Sequence, residues 1–558
     1  MPGKTVSIDT RGRGFFAALA LTALLFAWTA VGPCLDNGFI NWDETLYVLN
    51  NPKIKTLTPA SVRTIFTSRD LEMYSPLSTL SYAVNYRFSG LSPKGYHATA
   101  VALHLANTLL VLFLVRLLLP GVWPAFFCAL FFGLHPAHVE SVAWAAERKD
   151  LLYAFFYLLA LCAYARGLGR GDRWKYYAAA LGLFACSLLS KPMAVTLPLA
   201  LLLIDYLKLE KPGLRDWLNK APFFIAAAVF AAATMPAADA AAQWAPFARR
   251  LAVAVYNLGF YVYTLTWPFN LSAMYVRPLG GERLIYVAAA CVAAAACALL
   301  FYFRRNRTVL FGTGFYAAML LPVLQFFPFG PVISADRYTY LSSVGLFMAA
   351  AAVWAGAWAR SGALLRRSMV AALVLAALVF TVAARVRCAA WKDSVTLWGD
   401  TLRKQPAAGP ALVSLCSAYL QGGMEEQAAA CLGEAIRRYP GKDDNYYNLG
   451  LLLFKKGDYA AARKYFERTL ELNGGHAKAL LMMGHLALLD RDSAAAERFC
   501  LRSLASDGAD APALRILAGI AAARGDKAGA LRYYERALAV DPSDVKTSEI
   551  AAGLRGRR

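Results

Sequence analysis

The sequence contains few charged residues for its length. Only 17% of its 558 residues are Asp, Glu, Lys or Arg, whereas 58% are hydrophobic. Acidic residues are the scarcer kind, with 36 against 58 basic residues, and the formal net charge is +22. Soluble globular proteins rarely have this balance. The composition therefore excludes an ordinary soluble protein and favours one that crosses a membrane several times.

The excess of basic residues does not indicate nucleic-acid binding. Much of it falls in short clusters between apolar segments, at residues 166–175, 304–307 and 360–367. Under the positive-inside rule, such clusters mark the cytoplasmic loops of membrane proteins. We therefore expect membrane lipids, and no nucleic acid, among the partners of this chain.

Clustered metal ligands are also missing. The ten cysteines show no metal-ligand spacing, do not decide the redox compartment, and lie mostly in apolar segments, where a thiol packs as a small hydrophobe. His135 and His138 lie three residues apart with Glu140 close by, but no third ligand follows at a convincing spacing. We predict no firm cofactor. A divalent cation, held here or by Asp43 and Glu44, is the less favoured alternative.

Eleven apolar segments are predicted to cross the membrane. The first, at 15–33, has no signal-peptide cleavage site and follows Lys4 and Arg13, which place the N-terminus in the cytoplasm. Another apolar segment lies at 250–268. If it crossed the membrane, the basic loops before and after it would lie on opposite faces, so we predict an interfacial or re-entrant helix there. Eleven crossings put the first loop, residues 34–95, and the C-terminal region on the same outer face. The other ten segments are 97–119, 123–143, 151–167, 174–190, 193–208, 221–237, 284–303, 308–327, 338–358 and 367–387.

The composition changes abruptly near residue 391, where charged, Ala-rich helices with a 34-residue period begin. The pattern resembles the tetratricopeptide repeat, in which small residues let two helices approach and larger ones fill the neighbouring pair. We therefore predict an all-α fold with a polytopic membrane domain at 1–390 and a repeat α-solenoid at 391–558, whose groove holds an acceptor protein or peptide. The repeated positions are Cys416, Gly450, Gly484 and Ala518, then Ala428, Ala462, Ala496 and Ala530, then Leu432, Phe466, Cys500 and Tyr534.

Polar residues gather near the predicted outer ends of the membrane spans. Ionisable residues at membrane depth are costly, so their presence indicates function. Their convergence on one face predicts a single polar cavity, entered from the long first loop. The candidates are Asp43, Glu44 and Tyr74 in that loop, and His135, His138, Glu140, Arg148, Lys149, Lys191, Asp336 and Arg337 near the helix ends.

An acid beside several cations at a membrane surface suits the transfer of a group from a lipid phosphate. A carboxylate removes the proton of an attacking hydroxyl, and cations offset the charge on the departing phosphate. We assign the base to Asp43, and Glu44 orients the acceptor or shares this role. For each cation taken singly, anchoring at lipid headgroups is the alternative. The predicted phosphate partners are Arg148, Lys149, Lys191 and Arg337.

Six motifs follow one another along the chain: 37–44 (NGFINWDE), 74–78 (YSPLS), 103–107 (LHLAN), 134–144 (LHPAHVESVAW), 190–192 (SKP) and 335–340 (ADRYTY). Their order resembles the transmembrane and tetratricopeptide-repeat containing (TMTC) proteins and their bacterial relatives. That family is similar to the GT-C glycosyltransferases, multi-spanning enzymes that take sugar from a polyprenyl-phosphate carrier. Its animal members are associated with O-mannosylation of Ser or Thr from dolichyl-phosphate mannose, on the lumenal side of the endoplasmic reticulum.

The resemblance implies that Asp43 and Glu44 form the acidic motif where GT-C enzymes keep their catalytic carboxylate, and that the repeats recognise the acceptor. Pro192 stands where animal members typically have Glu, and the repeat array is short; both features fit a bacterial relative. The implied protein lies in the inner membrane with its repeats in the periplasm. It transfers a sugar, with mannose favoured, from a polyprenyl phosphate to Ser or Thr with inversion.

Three other interpretations stay open. A retaining reaction would need a second carboxylate, which Glu140 could supply. A scaffold that assembles an envelope complex would tolerate the loss of Asp43 as long as the repeat groove is intact. A transporter of lipid-linked sugar would need ionisable residues on a path to both faces, whereas here they crowd one face.

Overall fold

The computed structural model is built from α-helices and short 3-10 turns, with no β-strand in the described parts of the chain. The predicted all-α fold is confirmed. Contacts divide the chain into a first unit that ends at Pro406 and a second that begins at Ala407 and includes residues 50–52. The structure describes residues 10–69, 73–209, 213–234, 246–276, 281–325, 333–508, 510–542 and 544–555.

The first unit holds the long apolar helices. Ten of the eleven predicted spans each fall mainly on one of its α-helices, the span at 123–143 is broken into two helices, and the segment at 250–268 falls on α12. Residues 235–237 and 326–327, at the ends of two predicted spans, lie outside the described residues. Lys4, expected ahead of the first span, lies outside the described residues. The helices are α1 Thr10–Val31, α2 Pro59–Thr67, α3 Pro76–Ser89, α4 Pro93–Leu118, α5 Trp123–Leu134, α6 Val139–Ala143, α7 Arg148–Gly167, α8 Arg173–Ser190, α9 Leu197–Lys208, α10 Leu214–Leu218, α11 Ala221–Thr234, α12 Phe247–Thr266, α13 Gly281–Tyr302, α14 Arg307–Leu320, α15 Thr339–Arg360, α16 Ala363–Ala390 and α17 Ser394–Lys404.

Seven helices in the described ranges are long and apolar enough to cross a membrane, or eight if one bent pair counts as a span. The chain is therefore a multi-pass membrane protein, but the predicted eleven crossings and the topology built on them are not confirmed. Helix α9 shows the reason: its 12 residues span only about 18 Å at the α-helical rise, less than the apolar core of a bilayer. The bent pair is Trp123–Leu134 with Pro136–Ala143, at 52°.

Helices α14 and α15 cross at two glycines, Gly312 and Gly345. A Cβ atom added to either one would collide with the carbonyl oxygen of the other. The two backbones therefore touch at this point, as small residues allow at helix crossings in membranes.

This crossing predicts that Gly312→Ala is destabilising. The added methyl group forces the helices apart, and overpacking of this kind costs about 1–3 kcal/mol. The matched control is Gly356→Ala on α15, because a Cβ there has no neighbour within 4 Å. Thermal unfolding in detergent should show a lower midpoint for the first variant and little change for the second. Equal midpoints would contradict the predicted backbone contact.

The second unit consists of helical hairpins at the predicted 34-residue spacing. As expected, Phe466 fills the next hairpin, where it packs with Met483 and Leu486. Its ring also lies where a Cβ on Gly450 of its own hairpin would be, and the Cys500 sulfur lies where a Cβ on Gly484 would be. The helices are α18 Gly409–Gln421, α19 Glu425–Arg438, α20 Asp443–Lys455, α21 Tyr459–Leu472, α22 Ala477–Leu489, α23 Ser493–Ser506, α24 Ala511–Ala523, α25 Lys527–Val540 and α26 Val545–Arg555.

Two features of the packing differ from what composition alone indicates. The composition changes near residue 391, but α17 packs with the first unit, where the buried Trp398 contacts the Trp42 ring at 5.0 Å between centroids. In the second unit, Cys416 and Cys431 form a disulfide between α18 and α19, with 5.3 Å between their Cα atoms. These cysteines lie 15 residues apart, so only the folded hairpin reveals their pairing.

Candidate active site

The acidic pair lies in a stretch of irregular helix. Asp43 and Glu44 follow the 3-10 helix Gly32–Asp36 and directly precede a five-residue π-helix, Thr45–Leu49. The backbone N–H of Tyr47 donates to the carbonyl oxygen of Asp43 at 2.8 Å. Single π-turns are rare and occur often at functional sites. The acidic pair therefore sits where the backbone departs from a regular helix.

Glu44 is fully buried and is bonded to the backbone. One carboxyl oxygen accepts from the N–H of Ile40, and the other accepts from the N–H of Ala145 at 2.6 Å. Burial raises the pKa of Glu44 to about 8, although these backbone donors act in the opposite direction. Glu44 therefore ties the first loop to the 3-10 turn Ala145–Glu147.

The raised pKa predicts that Glu44 makes folding stability depend on pH. Its folded pKa of about 8 lies above the ordinary value of 4.5, so its contribution is fully present below pH 4.5 and is lost as pH rises through 8. Each pKa unit corresponds to about 1.4 kcal/mol, which makes the expected loss a few kcal/mol.

Glu44→Gln should remove this part of the pH dependence, because the amide does not titrate. The measurement is thermal unfolding in detergent from pH 5 to pH 9, with the exposed Asp36→Asn in the same loop as the control. The Asp36→Asn variant should keep the slope of the wild type. The interpretation fails if the slope is also unchanged in Glu44→Gln.

Asp43, unlike Glu44, is partly exposed. Within the described ranges its carboxylate accepts no hydrogen bond. Burial raises its pKa, the nearby cations Lys149 and Arg337 lower it, and Glu147 raises it. Among the described residues, Asp43 is thus a partly exposed carboxylate without a hydrogen-bond partner, under the influence of two positive charges. These properties suit a general base.

The cations near Asp43 belong to a buried ion cluster centred on Glu147. One oxygen of Glu147 lies 3.5 Å from Lys149 Nζ and 3.2 Å from Arg337 Nε, and the other lies 3.4 Å from Lys191 Nζ. Arg337 also binds Glu140 at 2.6 Å, and Lys191 binds Asp150 at 2.5 Å. The buried ion cluster therefore comprises Glu140, Glu147, Lys149, Asp150, Lys191 and Arg337.

Lys149 is the least neutralised cation of the buried ion cluster. Its only ion pair in the part of the chain that the structure describes is the 3.5 Å contact with Glu147, and its ammonium lies 4.7 Å from the centre of the Tyr47 ring. Arg337 and Lys191 each bind two carboxylates. An ammonium group with spare donors is suited to an additional anion such as a phosphate.

Tryptophan side chains support the acidic loop, the segment 37–44 of the first loop that carries Asp43 and Glu44. Trp42 stacks on Trp144 with 4.2 Å between ring centroids, and the guanidinium of Arg337 lies 5.3 Å from the centre of the Trp144 ring. Trp144 is fully buried. These contacts connect the residue next to Asp43 with the buried ion cluster and hold the two together.

Arg148 and Tyr74 lie outside the buried ion cluster. The guanidinium of Arg148 lies 4.7 Å from the centre of the Tyr82 ring and donates to the carbonyl oxygen of Tyr96 at 3.1 Å. Successive residues of an α-helix point about 100° apart, so Arg148 and Lys149 leave α7 in different directions. The Tyr74 hydroxyl donates to the carbonyl oxygen of Phe66 at 2.9 Å within the first loop.

The two histidines are engaged in hydrogen bonds. His135 Nε2 lies 2.9 Å from the carbonyl oxygen of Leu265. His138 contacts the carbonyl oxygen of Phe132 at 2.8 Å through Nδ1 and Ser343 Oγ at 3.1 Å through Nε2. Among the residues with described positions, no three His, Cys, Asp or Glu side chains are grouped to hold a metal ion.

Asp336 faces away from the buried ion cluster, although its neighbour Arg337 belongs to it. Tyr275 donates to Asp336 at 2.5 Å, and Arg387 on α16 lies 3.5 Å from the same carboxylate. Arg387 also forms an ion pair with Asp400 at 3.2 Å, and Asp400 forms one with Lys404 at 2.7 Å. The last three residues line a pocket of about 470 Å³ whose remaining wall is mostly apolar and comes largely from α16.

The sequence places Glu147 and Asp150 among the polar groups near the outer helix ends but predicts no role for either of them. Both lie in the charged run 147–150, which opens the otherwise apolar helix α7. Charge at the start of an apolar helix was the available signal. It did not indicate which of the four side chains would join the cluster.

A family profile for the tetratricopeptide repeat matches residues 444–476. The protein O-mannosyl-transferase Tmtc1 of Drosophila melanogaster is 37% identical over 134 residues, which cover 24% of this chain and 16% of that protein. TMTC1 of Mus musculus is 32% identical over 150 residues, covering 25% and 16%. TMTC2 of Homo sapiens is 35% identical over 127 residues, covering 22% and 15%. The chain thus spans about one sixth of the length of these relatives.

Two solved structures each resemble part of the chain. The crystal structure of MamA is 19% identical, covers 27% of this chain and 90% of its own, and has a TM-score of 0.24. A thermophilic tetratricopeptide-repeat protein of Thermus thermophilus is 22% identical, covers 33% and 94%, and has a TM-score of 0.26. The predicted resemblance is confirmed by the sequence relatives: this chain has homologues among the TMTC protein O-mannosyl-transferases and contains a tetratricopeptide repeat.

Proposed function

We propose that this protein is a membrane glycosyltransferase that moves mannose from a polyprenyl-phosphate carrier to Ser or Thr hydroxyl groups of proteins. The observation that carries the proposal is Asp43, a partly exposed carboxylate whose pKa is raised by burial but lowered by the charges of Lys149 and Arg337. The relatives, which are named protein O-mannosyl-transferases, support the same class of reaction.

The reaction is a single displacement. The acceptor hydroxyl gives its proton to Asp43, and its oxygen attacks the anomeric carbon as the bond from that carbon to the phosphate oxygen breaks. The polyprenyl phosphate leaves with the bonding electrons, and its charge is offset by Lys149. Apolar walls beside Arg387 and Lys404 suit the lipid chain of the donor.

Inversion at the anomeric carbon is the outcome that this geometry favours. A retaining enzyme needs a second carboxylate as a nucleophile on the opposite face of the sugar. Glu140 is fully buried and binds Arg337 at 2.6 Å, and Glu44 is fully buried and bonded to the backbone. Both carboxyl groups are therefore committed to the structure.

The disulfide in the repeats supports a periplasmic location for them. Disulfides persist in oxidising compartments and are rare in the cytosol, so the Cys416–Cys431 bond favours a periplasmic repeat unit. Periplasmic repeats can present an acceptor protein to an active site on the outer face of the inner membrane. A reporter fused to the C-terminus should therefore give a periplasmic signal, whereas a cytoplasmic signal would separate the repeats from the proposed acceptors.

The proposal is tested by transfer of radiolabelled mannose from polyprenyl-phosphate mannose to periplasmic proteins by the purified full chain. We expect label on protein that is released by β-elimination, as O-linked sugar is, and no label with nucleotide-linked mannose as donor. If no polyprenyl-phosphate sugar labels protein, the chain is better described as a repeat-bearing membrane scaffold.

A further inference from the structure

Two cysteines far apart in the sequence meet at the base of the acidic loop. Cys34 lies in the 3-10 helix Gly32–Asp36, and Cys388 lies near the end of α16. Their sulfur atoms are 3.1 Å apart, although 354 positions separate them in the sequence. Both side chains are fully buried. A disulfide bond would require the sulfurs to approach by only about 1 Å more.

Hydrogen bonds hold the two segments together independently of the sulfur atoms. Asn37 Nδ2 donates to the carbonyl oxygen of Cys388 at 3.2 Å. The N–H of Gly38 donates to the carbonyl oxygen of Lys392 at 2.8 Å. Because these bonds already fix the backbones, the side chains alone can close the remaining distance.

The pairing is specific to these two thiols. All ten cysteines lie in the described ranges, and besides the Cys416–Cys431 disulfide this is the only pair whose sulfur atoms are in contact. Cys128 is equally buried but has no sulfur neighbour, whereas Cys291 and Cys297 are exposed on α13. Burial alone therefore does not bring cysteines together in this protein.

We propose that Cys34 and Cys388 form a disulfide that fastens the base of the acidic loop to α16. The oxidant is the disulfide of a thiol–disulfide oxidoreductase in the outer compartment. The exchange takes place before the two thiols become buried: one cysteine thiolate attacks this disulfide to give a mixed disulfide, and the other thiolate then displaces the oxidoreductase. The two thiols lose two protons and two electrons, and the oxidoreductase is reduced to its dithiol. This inference and the proposed function both require that the acidic loop faces an oxidising compartment. The inference depends on nothing else in the proposed function.

The test is peptide mapping of the full chain. Cells are quenched with acid, free thiols are blocked with N-ethylmaleimide under denaturing conditions, and the protein is digested without reductant. We expect a peptide that links Cys34 to Cys388 and disappears on reduction. The Cys416–Cys431 link is the internal positive control, and blocked Cys291 and Cys297 are the internal controls for free thiols.

Two variants make the result specific. In Cys388→Ser, Cys34 should become blocked by the maleimide, while Cys416–Cys431 stays linked. In Cys128→Ser, which removes an equally buried thiol, the Cys34–Cys388 link should remain. Blocked Cys34 and Cys388 in the wild type overturn the proposal, whether or not Cys416–Cys431 is linked. None of these outcomes depends on sugar transfer, so the wild-type map decides the question even if a variant fails to fold.

Discussion

The Asp43→Asn variant should lose sugar transfer while it keeps its fold. An amide has nearly the shape of the carboxylate but cannot accept a proton, and removing a general base typically slows a reaction by roughly 10²–10⁴-fold. The fold should survive because the Asp43 carboxylate has no hydrogen-bond partner among the described residues. The measurement is the initial rate of mannose transfer from polyprenyl-phosphate mannose, together with the thermal unfolding midpoint in detergent.

Asp36→Asn is the matched control for this prediction. It makes the same chemical change in the same loop, but Asp36 is exposed and follows the first membrane helix. Its transfer rate should equal that of the wild type. Equal rates in Asp43→Asn and the wild type would remove Asp43 from the mechanism, even if the enzyme class is right.

The pH dependence of the rate provides a second readout for Asp43. Burial raises the pKa of Asp43 above its ordinary value of 3.8, and a general base acts only when it is ionised. The rate of the wild type should therefore rise with pH through the raised pKa. The residual rate of Asp43→Asn should lack that rise, which a purely structural role of Asp43 would not explain.

The sequence was sufficient to predict features that are determined by residues close together along the chain. The 34-residue spacing of small and larger residues predicted that Phe466 fills the next hairpin, where it packs with Met483 and Leu486. The apolar segments fell on helices for the same reason, since helical periodicity is local. Their lengths were less predictable, because 3-10 turns such as Pro192–Thr196 shorten the regular helices next to them.

The geometry of the candidate site was harder to predict from the sequence, because it depends on where helices break. The 3-10 turn Ala145–Glu147 sets the direction in which each residue leaves the start of α7. As a result, Lys149 pairs with Glu147, whereas Arg148 lies over the rings of Tyr82 and Tyr96. The sequence places these two cations side by side and gives no sign of their separation. The contact between Cys34 and Cys388 likewise appears only once α1 and α16 have packed.

Glu147→Gln should strongly destabilise the first unit. Its carboxylate lies within 3.5 Å of three buried cations, Lys149, Lys191 and Arg337. Removing one partner of a buried ion pair leaves uncompensated charge and costs about 3–5 kcal/mol. We expect a strongly lowered unfolding midpoint in detergent and loss of transfer, because the cations that face Asp43 lose their anchor.

Two further variants separate burial from charge as the cause of this loss. Asp216→Asn breaks the partly exposed pair with Arg173, at 3.5 Å, and should cost less than about 1 kcal/mol. The double variant Glu147→Gln with Lys149→Met removes the carboxylate and also one of the cations that it neutralised. The total loss should therefore be smaller than the sum of the two single losses. Additive losses would instead mean that Glu147 acts mainly through Lys191 and Arg337, and that Lys149 carries a charge that Glu147 does little to stabilise.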